Sequence, residues 1–155
     1  VSANQISDSL IFTITNNPAD FKSWLERRIP FSGKSAIAFK SGDEYGPVFS
    51  KKVSEIAKNG SINSVRLSAG IYQPDSLVKM IAVIEIKDGD KQLTWEGLVY
   101  KNSINPNQWD IINYQYIFPH PITNKDAVVN IYLWNKDKQI FYIDDFKVVF
   151  NTGSN

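Results

Sequence analysis

The sequence predicts an all-β fold: an antiparallel two-sheet β-sandwich in one domain. Three observations predict it. Apolar and polar residues alternate with a period of two through most of the chain, turn signals recur at the spacing a sandwich needs, and no helical stretch of roughly 10–15 residues alternates with the strands. Composition agrees. Among 155 residues, 43% are hydrophobic and 21% charged, as in an ordinary globular chain, and the 4 Trp, 7 Tyr and 9 Phe suit strands.

The first run, Leu10 to Thr15, reads as a strand. Asn17-Pro18 could cap a short helix over residues 18–28, with Phe21, Trp24, Leu25 and Arg28 at helical spacing. The rival is an irregular loop whose Phe21 and Trp24 plug the core. After Pro30 the period changes to two. Ser35 to Phe39 and Tyr45 to Val53 are extended, the latter broken by Gly46-Pro47.

Asn59-Gly60 marks a turn before Val65 to Tyr72, in which Val65, Leu67, Ala69 and Ile71 share a face. Met80 to Ile86 and Lys91 to Tyr100 form a hairpin across Asp88-Gly89-Asp90. Trp109 to Phe118 follows, with Ile112, Tyr114, Tyr116 and Phe118 on one face, and Pro119-His120-Pro121 is expected to stop it. Trp109 reads as core. Val128 to Trp134 points Val129, Ile131 and Leu133 one way, and Ile140 to Phe150 closes the chain. The sequence carries no internal repeat, low-complexity stretch or linker, so residues 1–155 read as a single domain. A chain that begins at Val1 with no signal peptide reads as a mature part or a fragment of a larger protein.

Composition excludes several function classes. Seventeen Lys and Arg stand against 16 Asp and Glu, giving a net charge of +1, too little for a partner recognised through phosphate neutralisation. No apolar run approaches the roughly 20 residues that span a bilayer as a helix. The chain has no cysteine, hence no disulfide, thiol nucleophile or Cys-type zinc site. The single histidine, His120, lies between two prolines and has no positioned catalytic partner in its surroundings. There is no nucleophile elbow, phosphate-binding loop or His-Glu-x-x-His. Glu85 and Glu96, on the two strands of the hairpin, could face each other as the carboxylate pair of a glycosidase, although like charges across a hairpin repel. The expectation is a protein that is not an enzyme.

The closing third carries a family likeness. Trp109, Phe118-Pro119, Val129 to Asn135 and Tyr142-Ile143-Asp144-Asp145-Phe146-Lys147-Val148 follow in order, after Ser32-Gly33-Lys34-Ser35-Ala36-Ile37 and Arg66-Leu67-Ser68-Ala69. From about residue 30 to 150 this resembles the jelly-roll carbohydrate-binding modules and the wider galactose-binding-like domains. The resemblance implies a jelly-roll topology, a non-catalytic role and an extracellular or cell-surface bacterial protein. It also implies a structural Ca2+ held by Asp144 or Asp145. The chain departs from the pattern at Asp20-Phe21-Lys22, where the resemblance expects Glu in place of Lys22.

The residues allow the same metal reading. In an unbroken strand Asp144 shares the face of Phe146, Val148 and Phe150, and a buried carboxylate must be paired, hydrogen-bonded or metal-bound. The alternative is a carboxylate accepting backbone N–H groups. For a ligand, the aromatic residues are the lead, because planar rings stack on the apolar faces of sugars while polar side chains meet the hydroxyls. The residues opposite the core parity are Asn130, Tyr132 and Trp134, then Arg66, Ser68 and Tyr72, then Asn113 and Gln115. Of these, Tyr132, Trp134, Asn130, Arg66, Tyr72 and Gln115 are the candidate ligand-binding set, expected on one sheet face against an oligosaccharide or polysaccharide. The competing readings are rings that only fill the core, and a protein-interaction domain with no sugar ligand.

Overall fold

The computed structural model describes the backbone of residues 9–13, 25–26, 36–57, 60–74, 79–101 and 107–154; its described side chains start at Ala38 and omit Pro47, Asp144, Asp145 and Ser154. The strands are β1 (Ser9–Thr13), β2 (Leu25–Glu26), β3 (Ala36–Phe39), β4 (Tyr45–Lys52), β5 (Gly60–Tyr72), β6 (Met80–Asp88), β7 (Lys91–Val99), β8 (Trp109–Ile122), β9 (Val128–Asn135) and β10 (Phe141–Ser154). The larger sheet runs β2-β3-β10-β5-β8, with β1 also on β10; the smaller runs β4-β9-β6-β7. All described pairings are antiparallel. From β3 onward the chain changes sheet at every connection except the β6–β7 hairpin. The predicted sandwich is present.

The core lies where the alternation placed it. Val65, Leu67, Ala69 and Ile71 of β5 meet Val129, Ile131 and Leu133 of β9 and Ala82, Ile84 and Ile86 of β6, all buried. Burying each such large aliphatic side chain stabilises the fold by about 1.5–3 kcal/mol. The face opposite is left for solvent or ligand.

Four expectations need correction. Leu25 and Glu26 pair with Ile37 and Ala36 as strand, so no helix runs through to residue 28; the ladder to β3 outweighs local propensity. The rest of 18–28 lies outside the described residues, and the one described helical turn, α1, is Val53–Ile56. Pro119-His120-Pro121 does not stop β8, which continues to Ile122. Ser64 pairs with Ile117 and Ile62 with Ile122, so β8 arches away while β5 advances two residues, and an edge strand can carry proline in such a bulge. Trp109 is not in the main core. It packs with Tyr72, Tyr142 and Ala38 in a separate row on the outer face of the larger sheet. Lastly, β5 begins at Gly60, so the turn glycine is already strand.

The strands β7 and β8 are each the last of their sheet, and they face each other across one side of the sandwich. Here Tyr100 Oη donates to Asp110 Oδ2 (2.7 Å) and accepts from Gln73 Nε2 (3.3 Å). Burial, then Asp110, holds the Tyr100 phenol far above its ordinary range. The buried Tyr114 hydroxyl has no hydrogen-bond partner among the described residues, and burial with the Asp110 charge pushes its pKa up to about 12. The folded protein therefore keeps a proton that the unfolded chain loses near pH 10. This contribution is whole below about pH 10 and is lost as pH rises towards about 12. Tyr114→Phe is expected to stay within about 1 kcal/mol of wild type at pH 7, since no bond is broken. It should also flatten the fall in denaturant stability between pH 10 and 12. A larger loss at pH 7 would mean that the hydroxyl is bonded.

Candidate functional site

The outer face of the smaller sheet is a field of rings. Register across β4, β9, β6 and β7 gives three rows: Tyr45, Trp134, Ile81 and Val99; Val48, Tyr132, Val83 and Gly97; Ser50, Asn130, Glu85 and Trp95. Tyr45, Trp134, Tyr132 and Trp95 lie on a diagonal over these rows. From Trp134 to Trp95 it covers two strand spacings, about 10 Å, and four residues, about 13 Å. Tyr45 and Trp134 are nearly parallel, at 16° with centroids 6.3 Å apart, and Tyr45 meets Tyr132 edge-on at 5.9 Å. Tyr45 and Trp95 are 49% and 43% exposed. Val83 points to the same side yet is fully buried, with Tyr132 and Gly97 as its cross-strand neighbours.

Two local devices aim this diagonal. In β4, Gly46 and Pro47 form a bulge, so that Tyr45 and Val48, three residues apart, both point outward. Gly46 is needed there, because a β-carbon would collide with the Phe39 ring. That ring is fully buried and stacked on Phe141 at 4.3 Å, with no room to retreat. In β7, Leu93 is an extra residue between the Ile86↔Thr94 and Lys87↔Gln92 pairs, which turns Trp95 to the outer face. Gly97 leaves space for the indole; a β-carbon would lie 3.1 Å from its Cη2.

Polar groups flank the rings. Trp134 Nε1 donates to Glu44 Oε2 (3.2 Å), and Lys136 Nζ lies 5.9 Å from the Trp134 ring centroid. Asn130 Nδ2 donates to Glu85 Oε1 (3.4 Å), and Lys87 Nζ is 3.9 Å from Glu85 Oε2. Burial and the Glu85 charge raise the Tyr132 phenol, and the Trp95 side chain eases that rise; burial and Glu44 raise Tyr45. A phenol is protonated at neutral pH in any case, so both hydroxyls can donate as well as accept. The face offers flat apolar rings beside carboxylate, amide and hydroxyl groups.

No family model matches the sequence, and no curated protein matches it. Solved structures do match. The CBM22-2 xylan-binding domain of Paenibacillus barcinonensis Xyn10C superposes with a TM-score of 0.55, covering 95% of this chain and 94% of its own at 14% identity. The C-terminal family 22 carbohydrate binding module of Clostridium thermocellum Xyn10B also gives 0.55, covering 98% and 90% at 14% identity. A family 16 carbohydrate binding module gives 0.50, covering 80% and 82% at 11% identity. The fold is that of the jelly-roll carbohydrate-binding modules.

On this fold the six expected ligand residues divide between two faces. Asn130, Tyr132 and Trp134 stand together on the outer face of the smaller sheet. Arg66 and Gln115 are cross-strand partners on the outer face of the larger sheet, where with Ser64, Val149 and Asn151 they line a cavity of about 140 Å³. Tyr72 lies further along that sheet, half-buried against Trp109 and Tyr142. A single patch of all six is therefore corrected: the two sheets turn their outer faces in opposite directions. Sequence reasoning left Tyr45, Val48, Glu44 and Trp95 out of the candidate ligand set and weighed Glu85 only as a carboxylate paired with Glu96.

Two further expectations change. Glu85 pairs with Trp95, and Glu96 with Ile84, so the two carboxylates project to opposite faces and cannot act as a pair. The strand carrying Asp144 and Asp145 is bulged. Asp144 pairs with Gly70 and Lys147 with Ser68, so β10 holds an extra residue and the core parity of Phe146, Val148 and Phe150 does not extend back to Asp144. The side chains of Asp144 and Asp145, and residue Asp20, lie outside the described ones. Among the described residues, no three His, Cys, Asp or Glu side chains cluster as metal ligands.

Proposed function

We propose that this chain is a non-catalytic carbohydrate-binding module that holds a xylan-type polysaccharide across the Tyr45, Trp134, Tyr132 and Trp95 diagonal, in a secreted or cell-surface protein. The observation that carries the reading is the exposed aromatic diagonal itself. Tyr45 and Trp95 stand nearly half exposed at its two ends, and a run of partly exposed rings on a sheet face suits a flat apolar partner. Glu44, Glu85 and Asn130 supply hydrogen-bonding groups for the hydroxyls between the rings. Xylan is chosen because the fold's neighbours include xylan-binding domains. The alternative of a protein-docking face has less support. The exposed Ile111 and Ile117 of β8 are separated by Asn113 and Gln115 and form no continuous patch.

Affinity electrophoresis in gels containing soluble xylan tests the reading. Retarded migration, reversed by free xylo-oligosaccharide, is expected. Unchanged migration in xylan and in a panel of other soluble polysaccharides would overturn it.

A further inference from the structure

The outer face of the larger sheet holds a small cavity of its own, on the opposite side of the molecule from the aromatic diagonal. It is the space of about 140 Å³ bordered by Ser64, Arg66, Gln115, Val149 and Asn151. Register builds it. Val149, Arg66 and Gln115 form one cross-strand row over β10, β5 and β8, and Asn151 and Ser64 stand in the next. Ser64 is short and buried and makes the floor; Arg66, Gln115 and Asn151 are longer and exposed, and make the walls. The cavity ends at Asn63, where β5 loses register with both neighbours. From Ser64 to Ile62 the partners pass from Asn151 to Thr152 on β10 and from Ile117 to Ile122 on β8. Bulges concentrate next to active sites, where they re-aim side chains.

Among the described residues, none of the four polar side chains around the cavity has a hydrogen-bond or ion-pair partner. Lys147, one row along on β10 opposite Ser68, is a second unpaired cation. The described side chains of this face include no carboxylate. Uncompensated positive charge selects a negative occupant, and a guanidinium holds a carboxylate through two parallel N–H donors. The two carboxamides and the Ser64 hydroxyl can both donate and accept, which suits sugar hydroxyls. At ~30 Å³ per water the cavity has room for about five, enough for a carboxylate and the edge of one ring.

We propose that this cavity is a second glycan site, which takes the carboxylate of one uronate residue in an acidic polysaccharide lying over the larger sheet. Arg66 grips the carboxylate and Lys147 adds attraction. Gln115, Asn151 and Ser64 bond the neighbouring hydroxyls, and Val149 meets the C–H edge of the ring. The site stands apart from the reading of the aromatic diagonal, because the two occupy opposite outer faces.

The test is calorimetric titration of the whole chain with trigalacturonate, with galactotriose as the uncharged match and triglutamate as the acidic peptide. Binding of trigalacturonate alone is expected, and it should weaken as salt rises. Arg66→Ala should lose about tenfold or more and Gln115→Ala about three- to tenfold. Arg66→Lys keeps the charge but not the planar fork, so it should fall between Arg66→Ala and wild type. Amide NMR shifts should move at Ser64, Arg66, Gln115 and Asn151 and stay still at Tyr132 and Trp134. Thermal melts equal to wild type show that the variants are folded. No binding of trigalacturonate, equal binding of galactotriose or of triglutamate, wild-type affinity in Arg66→Ala, or shifts confined to the aromatic face would each overturn the proposal.

Discussion

Trp134→Ala is expected to weaken xylan binding by about 30-fold or more while leaving the fold intact. The size follows from what the residue does. An aromatic hot spot of a binding face typically contributes at least ~2 kcal/mol, and each ~1.4 kcal/mol is tenfold in affinity. Trp134 stands beside Tyr45 at one end of the diagonal, with Glu44 on its indole N–H and Lys136 near its ring. Its removal deletes the ring and also frees Glu44, which would otherwise be held near the sugar hydroxyls. The fold should tolerate the change because the side chain points away from the core, which is filled from the other face by Ile131 and Leu133. Arg66→Ala is the matched control. It also changes a side chain that the sequence marks for binding, but on the opposite outer face, so xylan affinity should not move. Calorimetry on the three proteins decides it. If Trp134→Ala binds like wild type, or Arg66→Ala loses as much, the aromatic diagonal is not the site.

What the sequence makes legible, and what it hides, divides along the bulges. Inside an unbroken strand a period of two is reliable: Val65 to Ile71 and Val129 to Trp134 face as their alternation requires, which is why Asn130, Tyr132 and Trp134 come out together. One extra residue flips every side chain beyond it. Counted back from the Gly89-Asp90 turn, an unbroken β7 would set Trp95 against Ile84, facing the core; the bulge at Leu93 sets it against Glu85, facing out. The same effect puts Tyr45 and Val48 on one face and detaches Asp144 from the parity of Phe146. Gly46-Pro47 announces its bulge in the sequence, because proline cannot join a ladder. Leu93 and Asp145 announce nothing, since their bulges are set by pairing with distant strands. Sheet membership is hidden for a similar reason: parity separates inside from outside, but it does not say which of two outer faces a residue occupies. Arg66 and Trp134 are both outward, and they lie on opposite sides of the molecule.

Asn135→Ala is expected to cost about 3 kcal/mol of stability, and it connects the fold to the site. Asn135 is fully buried at the end of β9. Its Nδ2 donates to the carbonyls of Asp43 (2.8 Å) and Gln139 (2.7 Å), and its Oδ1 accepts from the Gln139 N–H (3.0 Å). Its own N–H donates to the Glu44 carbonyl at 2.7 Å. One side chain thus ties the turn after β9 to the segment before β4. Alanine removes three side-chain hydrogen bonds, to two carbonyls and one N–H, at about 1 kcal/mol or more each. For a chain of this length that lowers Tm by about 6–12 °C. Asn135→Asp should be no milder at neutral pH, because a carboxylate cannot donate and would face two carbonyl oxygens; acid pH, where it gains a proton, should return part of the loss. The same tie holds Glu44 and Tyr45 beside Trp134. Below its melting transition, Asn135→Ala should therefore also bind xylan more weakly, although no sugar touches the residue. Denaturant unfolding gives the first quantity and calorimetry at low temperature the second. A cost under about 1 kcal/mol would show that water replaces the side chain. Full affinity in a destabilised variant would show that Tyr45 is held in place by its strand pairing alone.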